Sequence, residues 1–310
     1  MKIAINTSDI NSTSVNNETV KRIIFSSQKN SDYNQLVKLR LTLLVVFSAV
    51  ITFLTANSGH AVNWFDLSML ATGGFLVVAS SNGLNQIIEK NYDALMLRTA
   101  NRPLATGRMG VTEAAIASLI FGVAGVSIIG IFLNPLCGIL AFVSLVLYAF
   151  VYTPLKRITP LSVFVGAFPG ALPTLLGWVA YTGNITSGAL ILFGVQFLWQ
   201  FPHFWSIAWM LDEDYKRAGF KMLPMFGKDK KSALQILAFT VLLIPIGFLP
   251  TMEGFTGIIS GCVAMIAGLY LSYLAFRLFQ TCENKDAKKL MFACFLYLPL
   301  VQICFLLDKI

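Results

Sequence analysis

Nine apolar runs dominate this 310-residue chain, near 40–56, 66–89, 113–132, 136–152, 161–182, 187–210, 233–250, 255–277 and 289–307. Roughly 20 apolar residues in helical form cross the ~30 Å hydrocarbon of a bilayer. Inside hydrocarbon a backbone must satisfy its own hydrogen bonds, which leaves helices or a closed barrel. Unbroken runs of this length, rather than short alternating ones, select helices. The expected fold is therefore an all-α polytopic membrane protein with nine transmembrane helices.

Charge placement tests that count. Nine spans make successive loops alternate between two sides of the membrane. Of the 23 Lys and Arg residues, 22 then fall on one side: in the segment through Arg40 and in the loops after the second, fourth, sixth and eighth runs. Only Lys309 lies opposite, and the loops at 57–65, 133–135, 183–186 and 251–254 carry none. Adding or dropping a span would scramble this partition. By the positive-inside rule the amino terminus is expected in the cytoplasm and the carboxyl terminus outside. The same pattern excludes nucleic acid as the reason for a pI near 9.3, because the basic residues sit in short loops between apolar runs. At 56% hydrophobic and 12% charged, the chain could not hide its apolar surface in water.

Residues 1–38 are rich in Asn, Ser, Thr and Lys and hold no apolar core, so a flexible cytoplasmic tail is expected ahead of a single nine-helix domain over 39–310. A weak amphipathic pattern from Thr19 to Leu39 suits a helix lying on the membrane surface. The five cysteines show no CxxC spacing and read as small packing residues.

The polar stretch Asn82–Arg108 breaks the pattern at the mouth of the second run. Asn85, Glu89 and Asp93 follow at intervals of four, and Arg98, Arg102 and Arg108 come after. Four residues advance a helix by ~6 Å and drift only ~40° around it, so the three oxygen-bearing side chains form a ladder on one face. Loop-end carboxylates ordinarily pair with neighbours such as Lys90 or Arg98. A ladder at a membrane helix mouth is costly, however, without a cation upon it. Oxygen ligands with an incomplete shell suit Mg²⁺, which shares its coordination with substrate phosphates.

A second acidic mouth resembles the first. Asp212, Glu213 and Asp214 close the sixth run, followed by Lys216 and Arg217. Asp93 precedes Pro103 by ten residues and Gly107 by fourteen; Asp214 precedes Pro224 by ten and Gly227 by thirteen. This looks like a duplicated unit whose mouths face one cavity on the same side. Consecutive helical residues point in different directions, so Asp214 is the first candidate there and Glu213 the second. Arg98, Arg102, Lys156 and Arg157 lie just past helix ends, where phosphate would sit.

Two acidic mouths with metal and basic residues suit ionisation of an allylic diphosphate. The metal, Lys and Arg would offset charge on the departing diphosphate. Aromatic faces, which the sixth run supplies from Phe197 to Trp209, would stabilise the allylic cation. His203, beside Pro202 within that apolar run, is open to three readings: a heme ligand, a proton acceptor or a helix-to-helix hydrogen bond.

The run NQIIEKNYDALMLRTANRPLATGR resembles the first motif of the UbiA superfamily of intramembrane prenyltransferases. YTPLKR at 152–157, GAFPGALPTLLGW at 166–178 and WQFPHFWSIAWMLDEDYKRAGFKMLP at 199–224 agree with it, the last pointing to the heme O synthase branch. The resemblance implies a UbiA-like bundle with two acidic-motif cytoplasmic loops in a bacterial inner membrane. It implies Mg²⁺-dependent farnesyl transfer from farnesyl diphosphate to a vinyl group of heme B, with a heme A synthase or heme–copper oxidase assembly factor as candidate partner. Carried over, Asn85, Glu89, Asp93, Glu213 and Asp214 would hold metal. Arg98, Arg102, Lys156, Arg157 and Lys216 would hold diphosphate, and His203 would meet the heme. The second motif departs from the superfamily's pair of aspartates four apart, since position 210 is Met. Two other readings are a prenyltransferase acting on a quinone-precursor ring and a secondary transporter with duplicated halves, whose site would lie at mid-bilayer.

Overall fold

The computed structural model describes residues 28–57, 59–225 and 227–310. Residues 1–27 lie outside it, and with them most of the expected tail and the first nine residues of the amphipathic pattern from Thr19. Residues 28–36 are helical (α1). The long helices are α2 Leu39–Ala56, α3 Trp64–Asp93, α4 Val111–Phe132, α5 Pro135–Leu155, α6 Ser162–Thr182, α7 Ser187–Met210, α9 Lys230–Met252, α10 Ile258–Thr281 and α11 Asn284–Leu307, with the short α8, Asp212–Arg217, after α7. Eight of them are long and apolar enough to cross a membrane. The ninth, α7, matches them in length at 24 residues, but its Gln196, Gln200 and His203 dilute the apolar signal. The protein is an all-helical multi-pass membrane bundle.

Small residues set the close crossings, as expected where packing rather than water drives helix association. At Gly177 of α6 a Cβ would lie 2.1 Å from the Ala49 carbonyl of α2. At Gly125 of α4 it would lie 2.8 Å from the Gly73 carbonyl of α3. Side chains then tie helices inside the membrane: Trp199 Nε1 of α7 donates to the Cys294 carbonyl of α11 (2.9 Å), and Gln302 of α11 donates to Gln196 of α7 (3.0 Å).

Two elements position the candidate site. Helix α3 begins at Asn63, whose side chain accepts from the Phe65 and Asp66 amides, and runs for 30 residues. At ~1.5 Å per residue it is about 45 Å long, some 15 Å more than the hydrocarbon, so its last turns, which carry Asn85, Glu89 and Asp93, project from the apolar slab. The end of α5 switches register instead: Leu147–Tyr152 is a π-helical turn before Thr153–Leu155.

Helix α1 docks where a mobile segment was expected. Lys29 pairs with Glu113 at 2.7 Å, Arg108 with buried Asp32 at 2.9 Å, and Leu36 packs with Leu104, Met109 and Ala114. Leu36 is the apolar anchor that composition alone understated.

Candidate active site

The projecting end of α3 presents one polar arc that serves two tasks. For the first, Asn82 Nδ2 donates to the Val37 carbonyl (3.2 Å), while Gln86 Nε2 donates to the Gln35 and Leu36 carbonyls (2.9 and 2.7 Å). These bonds hold the α1–α2 junction, where Lys38 adopts φ 48°. A non-glycine residue takes that left-handed conformation only where its surroundings dictate it. Its consequence is placement: Lys38 Nζ donates to Asn85 Oδ1 at 2.9 Å.

For the second, the ladder is formed and buried along the same arc. Asn85, Glu89 and Asp93 are 1, 4 and 1% exposed. Lys156 Nζ meets Glu89 at 2.7 Å, and Arg102 Nη1 spans both Asp93 oxygens at 2.8 and 2.7 Å. Asn85 Nδ2 reaches the Thr153 hydroxyl at 3.1 Å. Burial alone would drive the Lys156 ammonium toward its neutral form, but the Glu89 carboxylate outweighs it and raises the pKa. Among the described residues, no carboxylate pairs with Lys38. Burial, then the Arg102 and Lys156 cations, push its pKa well below the ordinary lysine value.

The second mouth reaches the first through Asp214, and Phe220 packs on Tyr92 at 6.1 Å. Helix α7 stops at Leu211, and Asp212–Arg217 forms its own short helix. Asp214 accepts from the Leu97 and Arg98 backbone amides, each at 3.3 Å, and pairs with Arg217. The two acidic loops therefore meet at one end of the bundle.

Not every expected site residue joins them. Glu213 is exposed, because its neighbours Asp212 and Asp214 take the buried side of α8. Lys216 turns outward to Asp212 (2.7 Å). Arg98 contributes its backbone amide while its side chain stays exposed. Arg157 is drawn to Tyr92, donating to its hydroxyl at 2.5 Å and lying 4.2 Å from the ring centre. His203 sits elsewhere on α7, stacked on Trp199 at 4.3 Å and edge-on to Phe295 of α11 at 5.2 Å. Its Nδ1 is buried without a hydrogen-bond partner. Lys38 and Thr153 are the residues that sequence reasoning missed.

Among the described residues, no three His, Cys, Asp or Glu side chains form a metal cage by themselves. The donor set still suits Mg²⁺: one amide and two carboxylate oxygens on one face leave coordination positions for substrate oxygens. Each carboxylate of the ladder is held meanwhile by a cation from another segment.

Comparison with known proteins identifies the family. The sequence profile of the UbiA prenyltransferase family matches residues 44–298. A protoheme IX farnesyltransferase of Cytophaga hutchinsonii is 47% identical over 279 residues, covering 90% of this chain and 97% of that protein. One from Christiangramia forsetii is 46% identical over 285 residues, covering 90% and 93%. Among solved structures, a digeranylgeranylglyceryl phosphate synthase superposes with TM-score 0.77 at 21% identity, covering 91% of this chain and 98% of its own. A UbiA homolog from Archaeoglobus fulgidus bound to GPP and Mg²⁺ superposes with TM-score 0.68 at 14% identity, covering 88% and 99%. The chain belongs to the UbiA prenyltransferase family.

Proposed function

We propose that the chain is a protoheme IX farnesyltransferase, moving farnesyl from farnesyl diphosphate to a vinyl group of heme B to give heme O. The C1–oxygen bond of farnesyl diphosphate breaks and C1 joins the terminal vinyl carbon. Water then places its hydroxyl on the adjacent carbon and loses a proton, and diphosphate leaves. The name carried by the curated relatives supports the substrate pair. The observation that carries the chemistry is the meeting of the α3 ladder with buried Lys156 and half-buried Lys38 and Arg102, from the end of α5, the α1–α2 junction and the loop after α3.

Asn85, Glu89 and Asp93 would hold Mg²⁺, with Asp214 serving the second mouth. Bound there, the metal would supply electrophilic stabilisation of the leaving diphosphate. Lys38, Lys156 and Arg102 have a second task. When diphosphate arrives they turn from the α3 side chains to its oxygens, so the carboxylates are released as the anion is neutralised. An ion pair that exchanges partners keeps the buried charge balanced throughout, which a dry site requires. Tyr152, whose ring centre lies 4.6 Å from the Lys156 ammonium, would offer an electron-rich face to an allylic cation formed there. His203, among Trp199, Phe204 and Phe295, is the contact offered to the heme on the α7–α11 side. The basic loops and the site face the cytoplasm of a bacterial inner membrane, with the carboxyl terminus outside and an oxidase assembly factor as the downstream partner.

The test is purified chain in nanodiscs with farnesyl diphosphate, Mg²⁺ and either heme B or a quinone-precursor acid, read by mass spectrometry. Farnesylated, hydroxylated heme is expected; prenylated quinone precursor alone would replace the reading with its relative. In the same assay His203→Ala should weaken heme binding more than farnesyl diphosphate binding, and the reverse ranking removes His203 from the heme side.

A further inference from the structure

The sequence and fold leave one residue of the ladder with a problem its neighbours lack. Glu89 and Asp93 end in two equivalent oxygens, so either edge can meet a cation. Asn85 ends in one oxygen and one NH₂ group, and only the oxygen can ligate a metal. With Asn85 1% exposed, water cannot select the orientation.

The end of α5 selects it. In a continued α-helix the Thr153 amide would bond to the carbonyl four residues back; here it bonds to Tyr148 O, five back, closing the π-helical turn Leu147–Tyr152. Thr153 Oγ1 lies 2.9 Å from the same carbonyl. Two oxygens that close need a proton between them, and a hydroxyl has one proton, so Thr153 donates it to Tyr148. The hydroxyl can then only accept from its other neighbour, and it receives Asn85 Nδ2 at 3.1 Å. The NH₂ end is thereby fixed toward α5, and Oδ1 is turned toward Lys38, whose Nζ meets it at 2.9 Å. Thr153 is itself 2% exposed, so nothing from solvent competes. The π-turn is what brings it there. One extra residue in the turn rotates the rest of the helix by ~100°, and the Thr153–Asn85 and Lys156–Glu89 contacts both depend on that rotation.

We propose that Thr153 is a positioning residue that sets which end of the Asn85 carboxamide faces the diphosphate pocket. This rests on the reading of Asn85 as a metal ligand.

The experiment titrates Mn²⁺ into the full chain in nanodiscs by electron paramagnetic resonance, with farnesyl thiolodiphosphate as an unreactive anion. Thr153→Val, which keeps the shape and loses the hydroxyl, should weaken Mn²⁺ binding about tenfold, the scale of a lost ligand-orienting partner. Thr153→Ser should restore it. In an Asn85→Asp background, whose carboxylate has no wrong end, Thr153→Val should cost less than about twofold. A Thr153→Val protein that binds Mn²⁺ as wild type does, or a loss equal in both backgrounds, overturns the proposal. Thr153→Ala serves as a second variant with the same expected ordering should the valine not fold. Asn85→Ala separates the two claims: if it leaves Mn²⁺ affinity unchanged, the metal reading itself fails. If it weakens binding while Thr153→Val does not, only the positioning role is lost.

Discussion

The two acidic mouths start from similar sequence and end in different structures. The first rides on α3, an unbroken helix long enough to leave the hydrocarbon, and keeps its four-residue ladder. The second comes after a break at Leu211 and sits on a helix of six residues, which turns one carboxylate toward the partner loop and another to solvent. A rigid helix delivers several ligands in fixed register, whereas a short one delivers a single contact. On the proposed function the first mouth would hold the reacting group, while the second braces the loop beside it through Asp214 on the Leu97 and Arg98 amides.

Paired substitutions put that contrast under the greatest strain. Glu89→Gln should lower kcat about 10³-fold, because it removes a ligand and leaves Lys156 buried without its counter-ion. Asp214→Asn should cost about 30-fold, since an amide oxygen can still accept from the loop. Equal losses in a steady-state assay would erase the proposed division of labour.

Ion-pair exchange makes a prediction of opposite sign. Lys156→Gln should weaken farnesyl diphosphate binding about tenfold yet tighten Mn²⁺ binding in the absence of diphosphate, because the metal no longer competes with an ammonium for Glu89. Calorimetry showing both affinities falling together would rule out the exchange.

Lys38 gives a smaller, pH-dependent effect. Its pKa is lowered here by burial and by the Arg102 and Lys156 cations, and an anion beside it would raise it again. Binding then takes up a proton, so diphosphate affinity falls as pH rises through the interval between the two values. Binding heats should depend on buffer ionisation enthalpy, and buffer independence would exclude the coupling. The smallest effect is expected at Glu213→Gln, whose exposed side chain should leave turnover within about twofold of wild type.

The bundle was legible because hydropathy and loop charge are properties of single segments. The α3 ladder was legible for a similar reason: spacing of four on one helix decides the face without knowledge of any partner. Lys38 was not, because its role depends on a left-handed junction held by Asn82 and Gln86, more than 40 residues away. Thr153 was hidden by the π-turn, a register change that no periodicity announces. The partners of Arg157 and Lys216 were not legible either, since positive charge near a helix end does not reveal that Tyr92 or Asp212 will meet it. In α7 the aromatic and amide residues blurred hydropathy without hiding a 24-residue helix.

The proposed mechanism turns on the projecting end of α3 holding the metal and diphosphate as farnesyl is released. The decisive assay is heme O formation by Asp93→Asn chain across a Mg²⁺ titration, beside wild type and with folding checked by thermal unfolding. A folded protein with product near background at every Mg²⁺ concentration is expected, beside wild-type activity that EDTA abolishes and Mg²⁺ restores. Wild-type product yield from Asp93→Asn, or turnover indifferent to EDTA, would refute it.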